Sequence, residues 1–129
     1  MVKKAITMLI VALLLSGLAT TELILVKKFI NNIESDVNEL VLEYDANKDN
    51  VSILTNKIQQ IEEKWDNKEK ILCLMFNYKD IRMFADTLTR VSEYTRQNNY
   101  DDGIVELKVL QEYAEKNHDV MSCNFNNIF

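Results

Sequence analysis

No proline occurs in this chain of 129 residues, and glycine occurs only twice, at Gly17 and Gly103. Proline and glycine interrupt helices and supply tight turns, so a chain almost without them is constrained toward long helices joined by short polar breaks. The expected fold class is all-α. About a hundred residues follow the apolar N-terminal stretch, enough for one modest hydrophobic core.

That stretch opens with Met1-Val2-Lys3-Lys4 and runs apolar from Ala5 to Ala19, relieved only by Thr7, Ser16 and Gly17. After Thr20, Thr21 and Glu22 it resumes as Leu23-Ile24-Leu25-Val26 and stops at Lys27-Lys28. A helix over 5–26 spans a hydrocarbon core of about 30 Å once. A cleaved signal peptide is the alternative, because a basic start, an apolar run and Gly17-Leu18-Ala19 suit a cleavage site. The membrane anchor is preferred for two reasons. Apolar character continues past that site, and Leu23, Val26, Ile30 and Ile33 keep one helical stripe running into the remainder. The expected division is 1–28 as anchor and 29–129 as an acidic all-helical domain. Lys3 and Lys4 balance Lys27 and Lys28, so orientation follows instead from the short N-terminal tail. The expectation is a single-pass signal-anchor protein of the cell membrane, with its N-terminus cytoplasmic and its helical domain extracytoplasmic.

The first 28 residues hold four Lys and one Glu, which leaves 11 basic and 19 acidic residues beyond them, a net charge of -8. A domain so acidic repels phosphate backbones, and it carries no cluster of Lys and Arg; nucleic acid is excluded as an expected partner.

Beyond the anchor, apolar residues recur at Leu23, Val26, Ile30, Ile33, Val37, Leu40 and Tyr44, alternating steps of three and four as in a coiled-coil seam. The polar stretch 45–50 is the first candidate turn. The seam resumes in phase at Val51, Leu54, Ile58, Ile61 and Trp65, so one long helix competes there with a hairpin. A third helix begins near Asn77 and Asp80 and carries Ile81, Phe84, Leu88 and Val91. Asn98-Asn99 breaks it, and Asp101-Asp102 opens a fourth helix with Ile104, Leu107, Leu110 and Ala114. Val41, Glu43 and Tyr44 recur as Val91, Glu93 and Tyr94, an echo that would describe two stacked helical hairpins. Asp66 with Lys70, Asp86 with Arg90, and Glu112 with Lys116 have the spacing of outward-facing ion pairs along a helix.

No motif reaches the specificity of a catalytic or cofactor signature. Asp45, Asn47 and Asp49 imitate the start of an EF-hand, but Asn50 stands where glycine is needed and Asn56 where a bidentate glutamate is needed. His118 has no second histidine, cysteine pair or serine to complete a metal site or triad. Cys73 and Cys123 have no metal-site spacing and read as unrelated buried thiols, a disulfide being the alternative. Trp65, in a charged stretch but last in its stripe, reads as a core anchor. Ile71-Leu72-Cys73-Leu74-Met75-Phe76 is apolar on every face, so it should be covered by other helices, a partner or a bilayer, and burial in the core near a helix junction is favoured. No catalytic, cofactor-binding or metal-ligating residue is assigned, no cofactor is expected, and the chain is not read as an enzyme.

The chain resembles a family of small, single-pass, membrane-anchored helical proteins of clostridia-like Gram-positive bacteria, described as a domain of unknown function. The resemblance rests on the N-terminal anchor, Trp65 before its charged run, Ile71-Leu72 through Asn77-Tyr78, Asp101-Asp102 with Leu107 and Leu110, and the terminal Asn127-Ile128-Phe129. It implies a helical membrane-associated protein without catalytic residues, encoded beside a larger integral membrane protein. Members of that family often carry His after the Asn, where this chain has Tyr78, and Cys73 and Cys123 fall outside the pattern.

The function expected is a membrane-tethered binding or scaffolding module acting through another membrane or envelope protein. The alternatives are a small extracytoplasmic enzyme or metal-binding domain, and a secreted helical protein. The seam should be covered from within the same chain, favouring a monomer over a homodimer.

Overall fold

The computed structural model describes the backbone of residues 1–48 and 50–128, and their side chains except at 118 and from 120 onward. Four helices follow in order: α1, Val2–Ala46; α2, Val51–Met75; α3, Tyr78–Arg96; and α4, Tyr100–Ile128. No strand occurs among the described residues. The expected all-α class, with a long apolar N-terminal helix leading into a four-helix bundle, is what the chain adopts.

Short connections force successive helices to run antiparallel, and α4 returns to lie against α1. Each helix packs on two neighbours, giving a square in which α1 and α3, and α2 and α4, face each other diagonally. The two hairpins, α1–α2 and α3–α4, stack through the α2–α3 and α1–α4 contacts.

Polar side chains set the breaks between helices. At 47–50 the hairpin prevails over a continuous helix: the Asn47 amide N–H and its Nδ2 both donate to the Glu43 carbonyl, closing α1. Asn50 Oδ1 then accepts from the Ile53 N–H at 3.4 Å, opening α2. Asn77 caps α3 by accepting from the Lys79 N–H at 3.0 Å. The third break is a Schellman-type turn: Asn98 has φ 59°, Asn98 N–H donates to Thr95 O, and Asn99 N–H donates to Tyr94 O. Asn tolerates the left-handed conformation because its short polar side chain costs little there. Asn99 then receives the Asp102 N–H and donates through Nδ2 to the Asp102 carboxylate at 2.7 Å, so Asp102 sits at the positive end of α4.

The apolar seams face inward. Val26, Ile30, Ile33, Val37, Leu40 and Tyr44 of α1 are buried against Leu54, Ile58, Ile61, Trp65 and Leu72 of α2, and the core continues through Ile81, Phe84, Leu88 and Val91 to Leu107, Leu110 and Ala114. The seam is thus covered within the chain by α2 and α4. Trp65 is the central anchor, with its indole centroid 3.9 Å from that of the Phe84 ring and stacked on it, and the Phe29 ring tilted against it at 6.1 Å.

Two expectations change. Arg90 reaches across to Glu106 on α4 at 3.1 Å, and Lys116 reaches across to Asp80 on α3 at 3.4 Å. Their partners therefore lie on neighbouring helices and fix how the helices align. The echo between 41–44 and 91–94 does not place equivalent side chains in equivalent surroundings. Tyr44 is fully buried while Tyr94 is half-buried, because the buried stripe of α3 runs through Thr95.

Candidate functional site

Two features stand apart from the packed core: the N-terminal half of α1, and a polar groove between α2 and α3.

Every residue from Met1 to Glu22 is exposed, Leu23 is half-buried, and Val26 is the first fully buried position. The most apolar 18-residue stretch of α1 has a mean hydropathy of 2.3, long and apolar enough to cross a membrane. Its three threonines bond back along the helix. Thr7 donates to the Lys3 carbonyl at 2.8 Å, Thr20 to the Ser16 carbonyl at 2.9 Å, and Thr21 to the Gly17 carbonyl at 2.9 Å. In hydrocarbon an unpaired hydroxyl is costly, so this back-bonding suits the segment to lipid. The backbone passes from this exposed half into the bundle without a break. An uninterrupted helix of 45 residues is about 68 Å long.

The groove encloses about 300 Å³ beside Trp65 and is bordered by Glu62, Asp66, Glu69, Arg82 and Arg96. Its carboxylates, Glu62, Asp66, Glu69, Asp86 and Glu93, outnumber its two arginines: Arg82 pairs with Glu69 at 3.1 Å and with Asp86 at 3.7 Å, and Arg96 with Glu93 at 3.6 Å. Glu69 beside Arg82 holds the guanidinium above its ordinary pKa. Glu62 is the perturbed carboxylate. Burial raises its pKa, a hydrogen bond from Ser92 and the charge of Arg96 oppose the rise, and Asp66 and Glu93 add to it. Trp65 is 1 % exposed, and its Nε1 has no hydrogen-bond partner among the described residues. A carboxylate that gains a proton more readily than usual can exchange one with solvent. Among the described residues, no histidine or cysteine side chain borders the groove.

The residues singled out in the sequence are scattered. Asp45 pairs loosely with Lys48 at 4.0 Å, the Asn47 side chain serves the end of α1, and Asp49 lies outside the described residues. The His118 side chain and that of Cys123 also lie outside them, while Cys73 is half-buried against the core. Among the described residues, no three His, Cys, Asp or Glu side chains converge as a metal site would require. The apolar run 71–76 divides: Leu72 is fully buried, Ile71, Cys73, Met75 and Phe76 are half-buried, and Leu74 is 86 % exposed. Sequence reasoning missed Glu62 as a distinctive carboxylate. The one available signal was its place next to Ile61, at the edge of the buried stripe.

No family model, curated protein or solved structure matches the chain.

Proposed function

We propose that this protein is a membrane-tethered helical module that binds or organises another membrane or envelope protein, crossing the bilayer once through α1 with its bundle on the extracytoplasmic side. The reading is supported above all by the division of one unbroken helix into an exposed apolar half and a half buried in the bundle. Such a helix acts as a stiff post, fixing the bundle's distance and direction from the membrane, which suits presenting a surface better than housing chemistry. The family resemblance carried by the anchor and the Trp65 segment accords with this. Membranes from the host, washed with alkaline carbonate, should retain the protein. Protease added to intact protoplasts should digest the bundle if it faces outward; full protection would reverse the orientation.

The secreted alternative is favoured by one observation. The core begins at Val26, so cleavage after Ala19 would release the bundle with its buried residues intact.

A further inference from the structure

The antiparallel register of α1 and α2 places the α2–α3 end of the bundle beside the point where the anchor leaves it. Phe29 lies against Trp65, and Lys64 pairs with Asp36 at 2.8 Å. Both helices advance at about 1.5 Å per residue. Counting outward from these two contacts sets Leu74 at the height of residues 20–26 of α1. The stack of Trp65 on Phe84 similarly sets Tyr78 level with Ile71. Two large side chains are thus exposed at the base of the bundle, Leu74 at 86 % and Tyr78 at 63 %, level with the end of the apolar half of α1. Lys28, Lys70 and Lys79 are exposed at about this level of the bundle, as is Glu22 on α1. The opposite end carries exposed Asp45, Asp101 and Asp102, with Lys48 beside Asp45.

We propose that this base is a second membrane contact: Leu74 and Tyr78 enter the lipid–water interface while Lys28, Lys70 and Lys79 bind anionic headgroups, seating the bundle upright on the bilayer. The proposal rests on the anchor reading, since α1 brings the base to the surface. The chemistry fits that boundary. An exposed leucine gains by leaving water, a tyrosine ring suits the headgroup level, and lysines extend their ammonium groups to phosphate. An overall acidic bundle is repelled by an anionic surface, and Lys28, Lys70 and Lys79 offset that repulsion at this end. The base also explains why one end of α2 is apolar on every face: its inner side packs on the core and its outer side meets lipid.

The test uses the full chain with Cys73→Ala and Cys123→Ser, bearing one environment-sensitive fluorophore at Leu14→Cys, Leu74→Cys or Asp101→Cys. It is reconstituted into phosphatidylcholine vesicles with or without phosphatidylglycerol and containing lipids with quenchers both near the headgroup and along the acyl chains. The expected result is quenching at 14 and 74 but not at 101, with quenching at 74 roughly twofold stronger when phosphatidylglycerol is present. Replacing Lys28, Lys70 and Lys79 by Gln should abolish that increase, with helicity by circular dichroism unchanged. Quenching at 14 without quenching at 74 would overturn the second contact and leave the anchor standing. Quenching at none of the positions would overturn both. Equal quenching at 74 in the two lipids would overturn the headgroup role of the lysines.

Discussion

The Tyr44 hydroxyl lies 3.1 Å from Oγ1 of Thr95, joining α1 to α3 across the diagonal of the bundle. Thr95 gives its own proton to the Val91 carbonyl at 2.7 Å, so Tyr44 is the donor in the pair. Burial raises the Tyr44 pKa, Thr95 opposes the rise, and the phenol stays protonated. Gly103 of α4 makes room for this arrangement, because a Cβ there would overlap the Tyr44 hydroxyl. Tyr100 packs edge-on against the same ring, with centroids 5.9 Å apart.

Gly103→Ala should therefore destabilise the bundle by about 1–3 kcal/mol, despite alanine's better helix propensity, because a fully buried ring has nowhere to move. Tyr44→Phe alone should cost about 1 kcal/mol for the lost hydrogen bond. In the Gly103→Ala background Tyr44→Phe should cost less, since it removes the overlapping atom. Urea denaturation of the four proteins closes the cycle; additive effects would contradict the contact.

Trp65 is the only tryptophan, so its fluorescence reports the core directly. With 1 % exposure it should emit well to the blue of free indole and shift red on unfolding. Trp65→Ala should cost about 3–5 kcal/mol. Trp65→Phe should cost far less, because the indole N–H it removes has no partner among the described residues. Urea midpoints for the two variants decide this; equal losses would mean the N–H is hydrogen-bonded after all.

Glu62 gives a pH signature. Its pKa is raised in the folded protein, chiefly by burial, so the native state binds the proton more tightly than the unfolded chain. This contribution is fully present below the ordinary glutamate value of about 4.3 and is lost as pH rises through the folded value. Glu62→Gln should raise the melting temperature at pH 7, with the gain shrinking as the pH approaches 4. A variant less stable than the parent at pH 7 would show that Ser92 and Arg96 outweigh burial.

The seams of α1 and α2 were legible because their three-and-four spacing is what burial along one helical face requires, and Trp65 fell in place as the last of its stripe. The break at 47–50 was harder to read. The apolar phase continues across it and no proline or glycine marks it, so the stop rests on hydrogen bonds of Asn47 and Asn50 that a hydropathy pattern does not register. The buried faces of α3 and α4 include Thr87, Ser92, Thr95 and Asn117, which a search for apolar residues passes over. Thr87 and Thr95 enter the core because each hydroxyl bonds to a carbonyl one turn back, leaving a methyl group to pack. Leu74 was unreadable in another sense: a run apolar on every face does not say which member points away from the core.

A fragment beginning at Leu23 retains Val26 and every later buried residue, so it should be a soluble helical monomer with the seam covered by α2 and α4. Sedimentation equilibrium over a hundredfold concentration range checks this. A stable dimer dissociated by Ile33→Asp would mean that a second copy shares in covering the seam.

The anchor itself is tested most directly by the intact mass of the protein recovered from carbonate-washed host membranes. The expected mass includes the segment from Lys3 to Val26. A mature protein beginning at Thr20 and found outside the membrane fraction would contradict it.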